Sequence, residues 1–204
     1  KRHSHELFGR QDVQQLLDAV KETHPKVVEE LVPNLLPLGG VVQVLKNLLR
    51  EQVPIRDLLT ILETLADWSP ATKDLDILTE HVRHALARTI TRMHLTPEGH
   101  IAAITLGHSM ESTISGALQQ TDHGSFLSLD PSVAQQMMNN LAASLEKMSA
   151  LNYPPVVMCS AQIRYHVKRL IDRFMPHIVV LSYDEILSKV EIQSLDMLEL
   201  NHAD

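Results

Sequence analysis

The sequence is poor in the residues that most often carry chemistry. It holds one cysteine, Cys159, in 204 residues. A lone cysteine excludes an internal disulfide framework and a zinc site built on cysteines, and a reducing compartment suits it. Aromatic residues make up 3%, so the core must be assembled from Leu, Val, Ile, Ala and Met. Seven glycines are scattered along the chain. They form no Gly-rich phosphate loop, no G-x-S-x-G elbow and no dinucleotide fingerprint, so no cofactor is expected. No apolar run approaches the roughly 18 residues of a membrane span. The start, Lys1-Arg2-His3-Ser4-His5-Glu6, lacks the apolar core of a signal peptide. Basic charge is in deficit: the net charge is −7, which argues against nucleic acid as a partner, because phosphate neutralisation needs a basic face. The first half is near neutral and the second carries most of that deficit. An initiator Met is also missing, and we read the chain as a piece of a longer protein.

What is present is ordinary globular material, 44% hydrophobic and 21% charged. The first half reads as a run of helices. Arg10–Thr23 places Val13, Leu16, Leu17 and Val20 on one face, with Asp12 near its start. Pro25 opens a short helix to Val32. Leu38–Glu51 carries Val41, Val44, Leu45, Leu48 and Leu49 at helical spacing. Asp57 is a good N-cap for Leu58–Ala66, and Trp68-Ser69-Pro70 ends that helix. Asp74–His94 reads as one long helix, because Leu78, Val82, Leu86 and Ile90 recur every four residues.

Thr96-Pro97-Glu98-Gly99 is a turn, and the boundary is placed there, giving a helical domain at 1–95 and a second domain at 96–204. Beyond the turn the period changes. Ile101–Leu106, Phe126–Leu129, Val156–Cys159 and Ile178–Leu181 read as strands. Glu111–Gln120, the stretch from Asp130-Pro131 to about Met148, and Ala161–Phe174 read as helices. The alternation predicts a small, mostly parallel sheet. In the tail, Lys189–Leu200, the strand alternation slips at Ser194-Leu195, so an edge strand or an extended arm is expected. The fold class is therefore α+β: an all-α subdomain followed by a small α/β subdomain.

Candidate chemistry is thin. His81 and His84 stand at i and i+3, but no H-E-x-x-H pattern exists and no metal site is expected; solvated helix histidines are the plainer reading. Cys159 lies in the apolar run Val156-Val157-Met158-Cys159. A phosphatase loop would place an arginine six residues later, where Tyr165 stands, so a buried thiol is expected. A small cytosolic hydrolase using Cys159 or the histidines is the alternative function. Glu29-Glu30 and Asp184-Glu185 are neighbours in sequence and read as solvated surface. One cluster rises above this background. Arg164, Lys168, Arg169 and Arg173 fall on one predicted helix at i, i+4 spacings and read as a basic stripe that could dock an acidic partner.

Several stretches together carry a resemblance. They are Glu6-Leu7-Phe8-Gly9-Arg10-Gln11, Val28-Glu29-Glu30-Leu31-Val32-Pro33, and the run from Leu48 to Leu58 (LLREQVPIRDL). After these come Leu78-Thr79-Glu80-His81-Val82-Arg83, Leu129-Asp130-Pro131, Ile163-Arg164, and Val180 to Ile186 (VLSYDEI). In this order they span nearly the whole chain, which resembles the C-terminal cytoplasmic region of the FlhA/InvA family of type III export-gate proteins, in its flagellar branch. The resemblance implies the last two of four cytoplasmic subdomains of an integral inner-membrane protein. In the family that region forms a typically nonameric ring of identical copies on the cytoplasmic face. It receives flagellar export chaperones with their substrates, the export ATPase stalk and other export-gate proteins. The chain would meet the membrane only through the missing N-terminal part. The main chaperone cleft of the family lies in the two absent subdomains, so none of its residues is carried over. Arg50, Glu51, Arg56 and Asp57 become candidates for contacts between subunits or subdomains, and the 164–173 stripe for partner docking. No catalysis is expected.

Overall fold

A computed structural model describes residues 8–201. The expectations placed on Lys1–Leu7, including His3 and His5, lie outside the described residues. The chain divides into two compact units between Ile90 and Thr91. That is five residues before the turn where the change of period suggested a boundary.

The first unit is helical: α1 (Arg10–Thr23), α2 (Pro25–Glu30), a wide turn over Leu31–Leu35, α3 (Leu38–Arg50), α4 (Leu58–Trp68) and α5 (Leu75–Ala85). Each helix begins where the chemistry of its start permits. The Gly9 amide donates to Asp12 Oδ2 at 2.8 Å, Pro25 opens α2, and Asp57 caps α4 by accepting from the Thr60 amide at 3.2 Å. Asp74 accepts from the amides of Asp76 and Ile77 at the head of α5. The apolar stripes then meet in the interior, where Leu17, Leu45, Leu48, Ile61, Leu62, Leu65, Leu78 and Val82 are essentially solvent-free. Each such side chain contributes ~1.5–3 kcal/mol.

The expected helix over 74–94 is two helices, α5 and α6 (Ala87–His94). Leu86 leaves helical geometry at φ −90°, ψ 17°. Its amide is shared between the Val82 and Arg83 carbonyls. Neither Gly nor Pro marks the break, and the four-residue apolar repeat runs through it undisturbed.

The second unit is a four-stranded parallel sheet, β1 (Ile101–Leu106), β4 (Val156–Cys159), β5 (Val179–Ser182) and β6 (Ile192–Leu198), in the order β5-β4-β1-β6. Every residue of the central strand β1 is buried, as suits a strand covered on both faces. The helices α7 (His108–Gly116), α8 (Pro131–Ala150) and α9 (Arg164–Asp172) complete it. Met110, Met137, Met138 and Met148 join Ile, Leu and Val in the core, filling gaps that aromatic rings would otherwise occupy. Asp130 caps α8 through the Ser132 amide at 2.8 Å.

One expectation is corrected here. Phe126–Leu129 is not a strand of the sheet, and the helix expected to Gln120 stops at Gly116. Instead β2 (Leu118–Thr121) and β3 (Gly124–Leu127) form a separate antiparallel hairpin. Asp122 and His123 make its two-residue turn, and Gly124 accepts φ +114°, a conformation costly for any side chain with a Cβ. The tail is settled as an edge strand. β6 pairs parallel with β1, and the register steps from Ala103↔Ser194 to Ile104↔Asp196. Leu195 is the extra residue of a β-bulge, at the point where the alternation slips. Beyond β6, the Glu199 carboxylate bonds Ser109 Oγ at the head of α7. It passes so close to Gly107 that a Cβ there would overlap it. Gly107→Ala is therefore expected to turn the flexible end of the Glu199 side chain aside and lose its bond to Ser109, at a cost of about 0.5–1.5 kcal/mol, read as a lower urea midpoint at unchanged slope.

Candidate docking surfaces

The charged stretch 50–57 joins α3 to α4. Glu51 ends α3, and its carboxylate faces the Arg83 guanidinium on α5 at 3.6 Å, with side chains 15% and 2% exposed. Asp57 is taken up by the cap of α4, where Thr60 Oγ1 also donates to it at 2.7 Å. Both acids thus serve the fold of their own unit. Arg50 and Arg56 are exposed and form no ion pair among the described residues.

The proposed basic stripe on α9 does not form a continuous exposed face. Arg164 has no exposed surface; its Nε lies 3.4 Å from Glu185 Oε1 and its Nη1 donates to the Val180 carbonyl at 3.0 Å. Glu185, expected on the surface, is 2% exposed and accepts from the Ser182 amide at 3.2 Å. Lys168 folds back onto the Ile178 carbonyl and Asp172, each at 2.8 Å, and its side chain is 12% exposed. Arg169 and Arg173 remain exposed, with the Arg169 guanidinium over the Tyr165 ring and its Nη1 donating to the Tyr165 hydroxyl at 3.1 Å. The reason was present in the sequence. Arg164 and Lys168 share the helix face of Val167 and Ile171, which are buried, so the spacing that aligns them also turns them inward.

The residues behind the hydrolase alternative are not brought together. Cys159 has no exposed surface. His81 and His84 sit on α5, and among the described residues no group of three metal-ligating side chains exists. His81 instead stacks flat against Trp68, ring centroids 3.7 Å apart and planes 7° apart. Burial, reinforced by the neighbouring His84 and opposed by Glu80, holds the His81 pKa below the ordinary histidine value. A histidine depressed in the folded state binds its proton more readily when unfolded, so stability is complete above the unfolded pKa of ~6.5 and is lost as pH falls through the lower folded value. Trp68 is the one tryptophan, so its emission reports this directly. A fall in stability below about pH 6.5, absent in His81→Phe, is the expected result.

Two apolar surfaces were not anticipated from the sequence. Trp68 and Ile77 are exposed on the first unit. On the second, a cleft of about 330 Å³ is lined by Met93, Leu95, Glu98, Leu151, Tyr153 and Pro154 among others. In the sequence Trp68 reads only as a helix end.

Comparison with known proteins adds a decisive observation, for the model of the FHIPEP family matches residues 1–191. The chain belongs to the FHIPEP family. It is 40% identical over 200 residues to the flagellar biosynthesis protein FlhA of Bacillus subtilis, a match covering 98% of this chain and 30% of that protein. The chain thus spans less than a third of the length of that curated relative. Among solved structures it superposes on the nonameric SctV-C of EPEC with a TM-score of 0.85 at 30% identity, covering 97% of this chain and 59% of the other. It likewise matches the Chlamydia pneumoniae CdsV chain solved in complex with CdsO, with a TM-score of 0.83 at 33% identity over 96% of this chain and 57% of that one. The α+β architecture of this FHIPEP chain is that of these relatives.

Proposed function

We propose that this chain is part of the cytoplasmic region of a flagellar type III protein-export gate, a ring-forming platform rather than an enzyme. The observation that carries the reading is the agreement, along 97% of the chain, with a relative solved as a nonamer. In this reading the helical part, 1–95, supplies contacts between copies. The α/β part, 96–204, faces flagellar chaperones carrying substrates, the export ATPase stalk and other gate proteins. Membrane attachment, at the cytoplasmic face of the inner membrane, comes from a portion of the protein outside this chain. Arg50 and Arg56 belong to the surface between copies, and Arg169 and Arg173 to the surface for acidic partners.

The test is assembly and capture by the complete protein. Electron microscopy of the detergent-purified protein is expected to show closed rings, and the immobilised protein to retain flagellar export chaperones and the stalk component. A protein that stays monomeric and retains neither would overturn the reading.

A further inference from the structure

β5 is an edge strand of the four-stranded sheet, and its composition invites a partner. Ile178 to Tyr183 reads Ile-Val-Val-Leu-Ser-Tyr, a run of high strand propensity without charge, proline or glycine. A bare edge of that kind is a template for strand addition by another chain. Yet β5 is not bare: Val180 is 1% exposed and Ser182 2%.

The alternation of the backbone shows what closes it. The Val179 amide donates to the Pro155 carbonyl beside β4 at 3.2 Å. Val179 and Leu181 therefore turn their main-chain groups toward β4, and Ile178, Val180 and Ser182 turn theirs to the outer edge. Three charged side chains meet them there. Lys168 Nζ donates to the Ile178 carbonyl at 2.8 Å. Arg164 Nη1 donates to the Val180 carbonyl at 3.0 Å. Glu185 Oε2 accepts from the Ser182 amide at 3.2 Å. Ion pairs hold these side chains in place, Arg164 with Glu185 at 3.4 Å and Lys168 with Asp172 at 2.8 Å. Together they stand where the main chain of a further strand would bond. Stability alone is a poor reason for such an arrangement, because a buried ion pair is often matched by well-packed apolar side chains. Apolar side chains would cover the edge but leave its carbonyls and amide unsatisfied.

The opposite edge is treated in the same way. On β6 the bulge at Leu195 breaks the regular register. The Leu198 carbonyl faces β1, where the Gly107 amide donates to it, so the Met197 amide faces outward. That amide donates to Asp196 Oδ1 at 3.0 Å, while Oδ2 is held by Ser144 and Lys147.

We infer that Arg164, Lys168 and Glu185 form a seal on the β5 edge, which keeps the same strand of a second copy from adding to the sheet. The seal acts whether or not the chain assembles into rings. Once it is removed, the bared carbonyls need donors, and residues 178–182 of another copy supply them.

The test compares the whole chain with Lys168→Ala and with the double variant Arg164→Ala, Glu185→Ala. Val167→Ala, a cavity in the core beside α9, is the control for lost stability. All are studied at urea concentrations that leave the same fraction folded. Analytical ultracentrifugation is expected to show self-association strengthened roughly two- to ten-fold by Lys168→Ala, which frees one main-chain group, and at least about ten-fold by the double variant. Hydrogen exchange read by mass spectrometry should show residues 178–182 protected in the associated species relative to the monomer. Folded variants that associate no more than wild type overturn the inference. So does association that leaves exchange at 178–182 unchanged, or Val167→Ala associating as strongly as the double variant. If the double variant does not fold, Lys168→Ala decides alone, since it leaves the buried Arg164–Glu185 pair intact; no strengthening there overturns the seal.

Discussion

Replacing Arg164 with alanine is expected to cost the second unit about 3–5 kcal/mol, a large share of the stability of any domain this size. The side chain has no exposed surface, and Glu185, its partner at 3.4 Å, is 2% exposed. Removing the guanidinium leaves the Glu185 carboxylate sealed from water without its cationic partner, and takes a donor from the Val180 carbonyl. The Coulomb attraction is the smaller part of the effect; the stranded charge is the larger. Glu185→Gln should therefore be milder than Arg164→Ala, because the amide oxygen can still accept from the guanidinium. The pair Arg164→Met with Glu185→Leu should recover part of the loss, since neither buried charge remains. All three tyrosines, Tyr153, Tyr165 and Tyr183, lie in the second unit, so the near-ultraviolet tyrosine band reads this transition. A double-variant cycle showing additive costs would refute the coupling.

Arg164 also shows where sequence reasoning reached its limit. Helical spacing places Arg164, Lys168, Arg169 and Arg173 on one element; the first three lie in α9 and Arg173 is the residue that ends it. Spacing alone does not say which way a face turns. The decisive clue was the company Arg164 keeps at i+3 and i+7, Val167 and Ile171, and the partner that neutralises it lies 21 positions away in the stretch after β5. Local signals are legible: the caps at Asp57 and Asp130, the proline starts, and the slip at Ser194-Leu195 that marks a bulge. Each depends on residues adjacent in the chain. The break at Leu86 carried no local mark. The hairpin at 118–127 was hidden because its strands, Leu-Gln-Gln-Thr and Gly-Ser-Phe-Leu, are short and weakly apolar. The Trp68–His81 stack joins two helices, and no pattern within either one announces it.

Arg83→Ala is expected to destabilise the first unit by a similar amount, about 3–5 kcal/mol, for a reason that reaches beyond stability. Arg83 is 2% exposed on α5 and faces Glu51, the residue that ends α3. It therefore ties the start of the 51–57 segment to a different helix. Lysine is not expected to rescue it, because a point charge cannot reproduce the planar fork of the guanidinium in a packed site. Glu51→Gln should cost less, about 1–2 kcal/mol, since its side chain reaches the margin of the protein at 15% exposure. Trp68 emission follows the unfolding. Salt separates the roles of the two kinds of charge. The Arg83–Glu51 pair is largely shielded from ions, so its contribution to stability should change little between low and high ionic strength. A contact made by the exposed Arg50 and Arg56 should weaken steeply over the same range. If Arg83→Ala lowered ring formation by loosening the segment that carries Arg56, a stabilising osmolyte would restore folding and assembly together. Direct loss of an interface charge, as in Arg56→Glu, would leave folding intact and would not respond to the osmolyte.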